Sequence, residues 1–250
     1  MTITIDSRAL GAIRFVDAVS GAAIQEPLQV ATRGATLQRN LSGLVVIVGV
    51  LGLESHAQTF ASPPATPAIG SVVVSFTVAD PRGRYVARGF RVALPRDPDP
   101  AHRASAASLF RPIDVAMFRS PAATPDAGWA VIRVQVMDQA NGAGLGGALL
   151  LVSRPGDGVI IGRGLADARG EALVGVRGIP ATTWGVDTGP VLATEIDAVL
   201  EAVFDPTAGA PPDPDDVEAN AKTLPAATSL LKLAARREQR AALALVVPVA

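Results

Sequence analysis

Residues 129–180 read WAVIRVQVMDQANGAGLGGALLLVSRPGDGVIIGRGLADARGEALVGVRGIP, and this stretch decides the fold. Its four short apolar runs, rich in Val, Ile and Leu, are separated by clusters of Gly, Asn, Asp and Pro. Short β-branched runs bounded by turn formers are a strand-and-turn pattern. The spacing predicts strands over 131–137, 148–153, 159–166 and 171–176, joined by a glycine-rich turn at 138–147 and a second turn at 154–158. Asp167-Ala168-Arg169-Gly170 is expected to pair the last two strands as a tight hairpin. Asp can bond its own backbone two residues on, and Gly enters the left-handed region without a Cβ clash, so Gly170 is expected at positive φ.

Residues 13–94 carry the same landmarks. Ile13-Arg14-Phe15-Val16 leads to Asp17, with Gly21, Ile24 and Pro27-Leu28 at the offsets that Gly142, Leu145 and Ala148-Leu149 keep from Asp138. Asp80-Pro81-Arg82-Gly83-Arg84 separates an alternating run at 71–78 from another at 85–94 and is matched here to the Asp167 turn, so substitution of Gly83 is expected to destabilise the fold if it occupies positive φ. Two matched landmarks predict an all-β chain of two tandem antiparallel β-sandwich domains, 1–124 and 125–250, with Pro-rich connectors and at most one short helix.

The connector Pro95-Arg96-Asp97-Pro98-Asp99-Pro100 is extended and poor in ladder donors. Residues 109–118 alternate and fit either a last strand of the first domain or a segment across the junction. Beyond 180, a strand is expected over 193–204 and a short helix over 215–222, opened by Asp213-Pro214-Asp215-Asp216. The tail, 229–247, alternates Leu231, Leu233, Ala235 and Leu243, Leu245, Val247 but also has good helix formers; a closing hairpin is preferred to a helix.

Composition narrows the function. The 250 residues carry a net charge of −1 and 18% charged residues, so no basic footprint for nucleic acid or an anionic membrane is present. The 22 basic residues are all Arg except Lys222 and Lys232, and there is no Cys, which removes disulfides, thiolate metal sites and Cys nucleophiles together. The absence of an early Lys also excludes the Lys–Asn crosslink of some pilin-like sandwiches. The apolar run at 44–53 is shorter than the roughly 20 residues that span a bilayer and is expected as a buried strand with its turn. The amino terminus has no secretory pattern, so a cytoplasmic product is expected.

No catalytic constellation emerges. Gly142, Gly144 and Gly147 satisfy G-x-G-x-x-G, but a dinucleotide site needs a helix amino terminus there, and 148–152 is followed at once by Arg154-Pro155-Gly156. His56 and His102 stand in loop-like segments without a G-x-S-x-G partner, and the Asp97/Asp99 and Asp213/Asp215/Asp216 clusters lack the spacing of a calcium loop. Asn40-Leu41-Ser42 is formally a glycosylation acceptor and is read as a turn. Trp129, Trp184, Tyr85 and Phe60 are the aromatics to test for ligand stacking. No catalytic residue, metal or cofactor is assigned.

The strand ending in Asp138, followed by Gly142, Leu145, Ala148 and then Asp167-Ala168-Arg169-Gly170-Glu171, resembles the carboxypeptidase regulatory-like (transthyretin-like) β-sandwich domain over the C-terminal part of the chain. The resemblance implies a seven-stranded sandwich acting as an accessory or structural module, because that family's regulatory domain lacks the peptidase site. Ser108-Leu109-Phe110-Arg111-Pro112-Ile113 and Asp213-Pro214-Asp215-Asp216-Val217-Glu218 are similar to stretches of accessory proteins of bacterial phage-tail-like contractile injection systems. That likeness implies a non-catalytic component of a large particle, with other protein subunits as partners. The alternative is a carbohydrate- or peptide-binding module, with Trp184 and Arg163 as its contacts.

Overall fold

The computed structural model describes residues 8–58, 64–180 and 195–248. The first seven strands are β1 (Gly11–Asp17), β2 (Gln29–Ala31), β3 (Ala35–Arg39), β4 (Val45–Val50), β5 (Val72–Ala79), β6 (Arg88–Leu94) and β7 (Ile113–Met117), with a short helix α1 (Glu54–Gln58) after β4. Seven more follow: β8 (Ala130–Asp138), β9 (Leu149–Ser153), β10 (Ile160–Leu165), β11 (Glu171–Val176), β12 (Glu195–Val203), β13 (Ala226–Ala234) and β14 (Glu238–Leu245), with α2 (Pro214–Ala219) before β13. The all-β expectation holds. Among the described residues there are two short α-helices rather than at most one, besides two single 3-10 turns, and the extra helix follows β4 where the fully buried Leu53 anchors it.

By contact density the chain forms two compact units. One comprises Met1–Val16, Ala22–Val78 and Gly89–Ala116; the other comprises Asp17–Gly21, Ala79–Arg88 and Met117–Ala250. In the first, Phe15 of β1 meets Phe90 of β6 edge-on at 6.0 Å and Phe90 stacks on Phe76 of β5 at 5.1 Å, so two sheets face each other across aromatic rings. In the second, alternate residues Ala130, Ile132, Val134 and Val136 of β8 face Leu150, Val152, Ala198, Leu200 and Ala202 from β9 and β12 in one core. Strand β9 is apolar on both faces, which an isolated sheet could not tolerate. Leu149 and Leu151 are covered on the outside by Val217 of α2 together with Val203.

The strand orders are β3-β4-β1-β7 and β2-β5-β6 for the first set, and β11-β8-β14 and β10-β9-β12-β13 for the second. Taken in sequence order, both sets share one wiring. The first strand lies between the fourth and seventh, and the fifth lies between the second and sixth. Only the third strand differs: β3 pairs with β4, whereas β10 pairs with β9 in the opposite sheet.

The first landmark repeats bond for bond. Gly21 N–H donates to the Asp17 carbonyl and Gly142 N–H to the Asp138 carbonyl, each at 2.8 Å. Ile24 N–H reaches Phe15 O at 2.9 Å as Leu145 N–H reaches Val136 O at 3.0 Å, and the two glycines have φ of 70° and 73°. The second landmark needs correction. The Asp80 turn joins the fifth and sixth strands, whereas Asp167–Gly170 joins the third and fourth. The counterpart of Asp167 is Asn40. Gly43 N–H donates to Asn40 O (3.1 Å) and Leu44 N–H to Asn40 Oδ1 (2.9 Å), as Gly170 N–H donates to Asp167 O (2.9 Å) and Glu171 N–H to Asp167 Oδ1 (3.1 Å). The formal glycosylation acceptor is thus the repeat's own corner.

Two pairings also differ from expectation. Strands β10 and β11 do not form a hairpin: β10 ladders with β9 and β11 with β8, so the Asp167 turn crosses between sheets. The tail likewise splits, β13 joining β12 antiparallel and β14 joining β8 in parallel. The reason is the free side of β8, whose backbone groups need partners. Arg236, at φ 62°, turns the chain across, with its N–H on Trp129 O and Val131 N–H on Arg237 O, both 2.9 Å. The β14–β8 ladder is therefore parallel where an antiparallel pairing was expected, and an isolated bridge between Asp97 and Ser108 is parallel as well. Residues 109–118 contribute β7 beside β1.

Candidate functional site

The G-x-G-x-x-G stretch is a packing device. A Cβ on Gly144 would overlap the Arg169 carbonyl, and one on Gly170 would overlap the Val136 carbonyl and lie 2.7 Å from Leu145 N. A Cβ on Gly147 would fall 2.6 Å from Pro212 Cγ. The two turns interlock through bare backbone, and strand β9 rather than a helix follows, so no phosphate cradle forms.

The Asp213 cluster does cap a helix, and also serves a partner that sequence reading missed. Asp213 Oδ1 accepts the Asp215 N–H at the start of α2 (3.1 Å) and the fully buried Arg88 Nη2 (3.2 Å); Asp215 Oδ2 takes the same nitrogen at 2.6 Å. The Phe118 ring lies 5.7 Å from the Arg88 guanidinium. Arg88 stands in phase with the buried Phe90, Val92 and Leu94 of β6, so the alternation puts it on the inward face, but nothing in β6 names the acids that pair with it there. Arg163 extends from β10 to α2, where Nε and Nη2 grip both Glu218 oxygens at 3.0 and 2.8 Å. Glu218 raises the Arg163 pKa through that bond, and the guanidinium serves as a strap between strand and helix. Trp184 and Phe60 lie outside the described residues.

A second polar node forms around Asp17, which is 3% exposed. Oδ1 accepts the Val19 and Ser20 N–H groups and the Ser20 hydroxyl, while Oδ2 accepts Tyr85 Oη at 3.2 Å and Arg119 Nε at 2.7 Å. Burial works to raise the Asp17 pKa, but the Ser20 and Arg119 donors outweigh it and hold the carboxyl below its ordinary value. Burial and the same carboxylate push Tyr85 up to about 12. Arg119 also bonds both Asp126 oxygens and lies 4.5 Å over the Trp129 ring. Trp129 is therefore engaged in packing, whereas Tyr85 has its hydroxyl engaged and its side chain along a cleft in the second unit.

The remaining candidates separate. His102 Nδ1 bonds Asp97 Oδ2 at 2.8 Å, which raises the His102 pKa. Asp97 is lowered, first by the Asp99 N–H and then by His102. His56 is 6% exposed, and neither ring nitrogen has a partner among the described residues. Among the described residues no three His, Cys, Asp or Glu side chains converge as a metal set. A cleft of about 660 Å³ in the second unit is walled mostly by small and proline residues such as Ala122, Gly147, Pro211 and Pro212, with Tyr85 and Phe204 also along it, and includes the Ser120 hydroxyl, which has no partner among the described residues.

That unit also has an open sheet edge. Strand β13 has one ladder partner among the described residues, β12, in unbroken register over nine pairs from Glu195↔Ala234 to Val203↔Ala226. It contains no Pro, Gly or bulge, and Leu230 at its midpoint is 80% exposed.

No family model matches the chain, and no curated protein matches it. Among solved structures it is similar to the shaft pilin SpaA from Lactobacillus rhamnosus GG, at 13% identity over 96% of each chain with a TM-score of 0.23. A single-residue mutant of that pilin gives 9% identity over 98% of this chain and 99% of that one, with a TM-score of 0.27. Likeness at this level leaves the fold resting on the strand arrangement described above.

Proposed function

We propose that the chain is a non-catalytic structural protein that joins other subunits in a larger bacterial assembly, a phage-tail-like contractile particle. The observation that carries this is the nine-residue edge of β13, which among the described residues has no outer ladder partner and carries a single charge, Lys232, in a chain whose polar clusters are occupied with holding turns and helices in place. Natural sandwiches blunt such edges unless they are used. On this proposal the two sandwiches, 1–124 and 125–250, are accessory modules of the carboxypeptidase regulatory-like kind, made in the cytoplasm and incorporated into the particle. The test is size fractionation of native-host lysate. Co-migration with a particle far larger than 25.5 kDa supports the assembly role, and a free monomer overturns it.

The alternative is a binding module, for which the proline-walled cleft favours an extended apolar peptide over a sugar. Arg163, held by Glu218, is not its contact on this view. Retention of the chain on an immobilised proline-rich peptide, lost on filling the cleft with Ala122→Trp, is the expected sign.

A further inference from the structure

We infer that β13 pairs with β13 of a second copy of this chain, antiparallel about a twofold axis through Leu230, fusing two four-stranded sheets into one; this rests on the assembly role above and names its partner. Strand β13 runs 226–234, so Leu230 is its midpoint and an axis there pairs all nine residues. The opposite edge of the same sheet is blunted. Strand β10 is six residues long, has a register shift between Ile160 and Gly162, and carries Gly162 and Gly164. Strand β13 has none of these protections.

The exposed face of the sheet is self-complementary under that operation. The register sets Val199 beside Leu230, Asp197 beside Lys232 and Glu201 beside Thr228. A twofold axis at Leu230 then builds a central apolar row of Val199, Leu230, the partner's Leu230 and the partner's Val199. On either side lies a row of Asp197, Lys232, the partner's Thr228 and the partner's Glu201. Lys232, bonded to Asp197 at 2.9 Å, thus has an acid on its own side and another across the seam, and no like charges face each other. An axis at Lys232 would oppose two ammonium groups, and one at Thr228 would leave Lys232 beyond the paired residues and Leu230 against Ala226. The central register sets the two exposed Leu230 side chains directly against each other.

The chain has no Cys, so single-cysteine variants report the register directly. Directly opposed residues in an antiparallel pair have Cα atoms about 4.5–5.5 Å apart, within disulfide range. Leu230→Cys is expected to give a covalent dimer on mild oxidation. Thr228→Cys and Lys232→Cys are each expected to stay monomeric alone and to crosslink when mixed. The unsubstituted chain is expected to sediment as a concentration-dependent dimer of twice 25.5 kDa, and Leu230→Lys, folded by circular dichroism, to raise the dissociation constant more than about tenfold. A chain that stays monomeric with Leu230→Cys uncrosslinked overturns the pairing, as does a dimer indifferent to Leu230→Lys or crosslinking of Thr228→Cys alone. A monomer that still co-migrates with a particle refutes this seam and spares the assembly role; a crosslinked dimer that never enters a particle does the reverse.

Discussion

Gly83 and Gly170 both occupy the left-handed region, at φ 67° and 78°, yet alanine at the two positions is expected to have very different effects. Nothing lies within 4 Å of a Cβ at Gly83. Gly83→Ala therefore meets only the left-handed cost of roughly 1–2 kcal/mol. Reduced freedom of the unfolded chain offsets roughly 0.4–1 kcal/mol of it, leaving about 1 kcal/mol. Gly170→Ala meets the same cost and in addition drives its methyl into the Val136 carbonyl, Leu145 N and Gly144 Cα. Relief requires parting the turn from β8, which stretches Val136 N–H to Gly170 O (2.8 Å) and Leu145 N–H to Val136 O (3.0 Å). Two buried hydrogen bonds at roughly 1–3 kcal/mol each bring the loss to about 4 kcal/mol. With a urea slope of about 2 kcal/mol per molar, the midpoint is expected to fall by about 2 M for Gly170→Ala and about 0.5 M for Gly83→Ala. Equal losses at the two positions would refute the interlocked-turn account.

Arg88→Ala leaves Asp213 without its buried cation and is expected to lower stability by about 3–5 kcal/mol in thermal unfolding. Adding Asp213→Asn should restore at least about 1 kcal/mol, and strict additivity in that cycle would show the pair to be uncoupled. The Asp17 carboxyl is lowered in the folded chain, so its contribution is present above the unfolded pKa and lost as pH falls through the folded one. Acid unfolding below about pH 4 should accordingly be shallower in Asp17→Asn than in the parent. The single Tyr should ionise near 12 rather than 10 by ultraviolet titration, and return toward 10 in Asp17→Asn. His56→Leu removes two unpartnered buried nitrogens and should raise stability by about 1–2 kcal/mol; a drop in melting temperature would mean the ring is bonded in solution.

Strands were legible where glycine and aspartate corners bracket alternating apolar residues, as at 130–138 and 171–176, because both signals are local. Partners were not. Alternation says which side chains face inward but not which sheet a strand joins, so the Asp167 corner looked like a hairpin and the tail looked closed on itself. The Asp80 and Asp167 turns share D-x-R-G and nearly the same internal bonds, and only strand order reveals that Asn40 is the true counterpart. For Arg88 the inward face of β6 could be read from its phase with Phe90, Val92 and Leu94, but its partners could not, because Asp213 and Asp215 lie far along the chain. Of the two residues singled out as contacts, Arg163 is engaged with Glu218, and its acid sits in the helix that the sequence did reveal.

The third strand's change of allegiance makes the repeats non-interchangeable. A duplicated sandwich would ordinarily display the same broad surface twice. Here the wider sheet is built on β1 in one repeat and on β9 and β12 in the other. A binder shaped to the four-ribbon side of either repeat would find only three ribbons at the corresponding place in its sibling, so moving one short edge segment gives each half its own address.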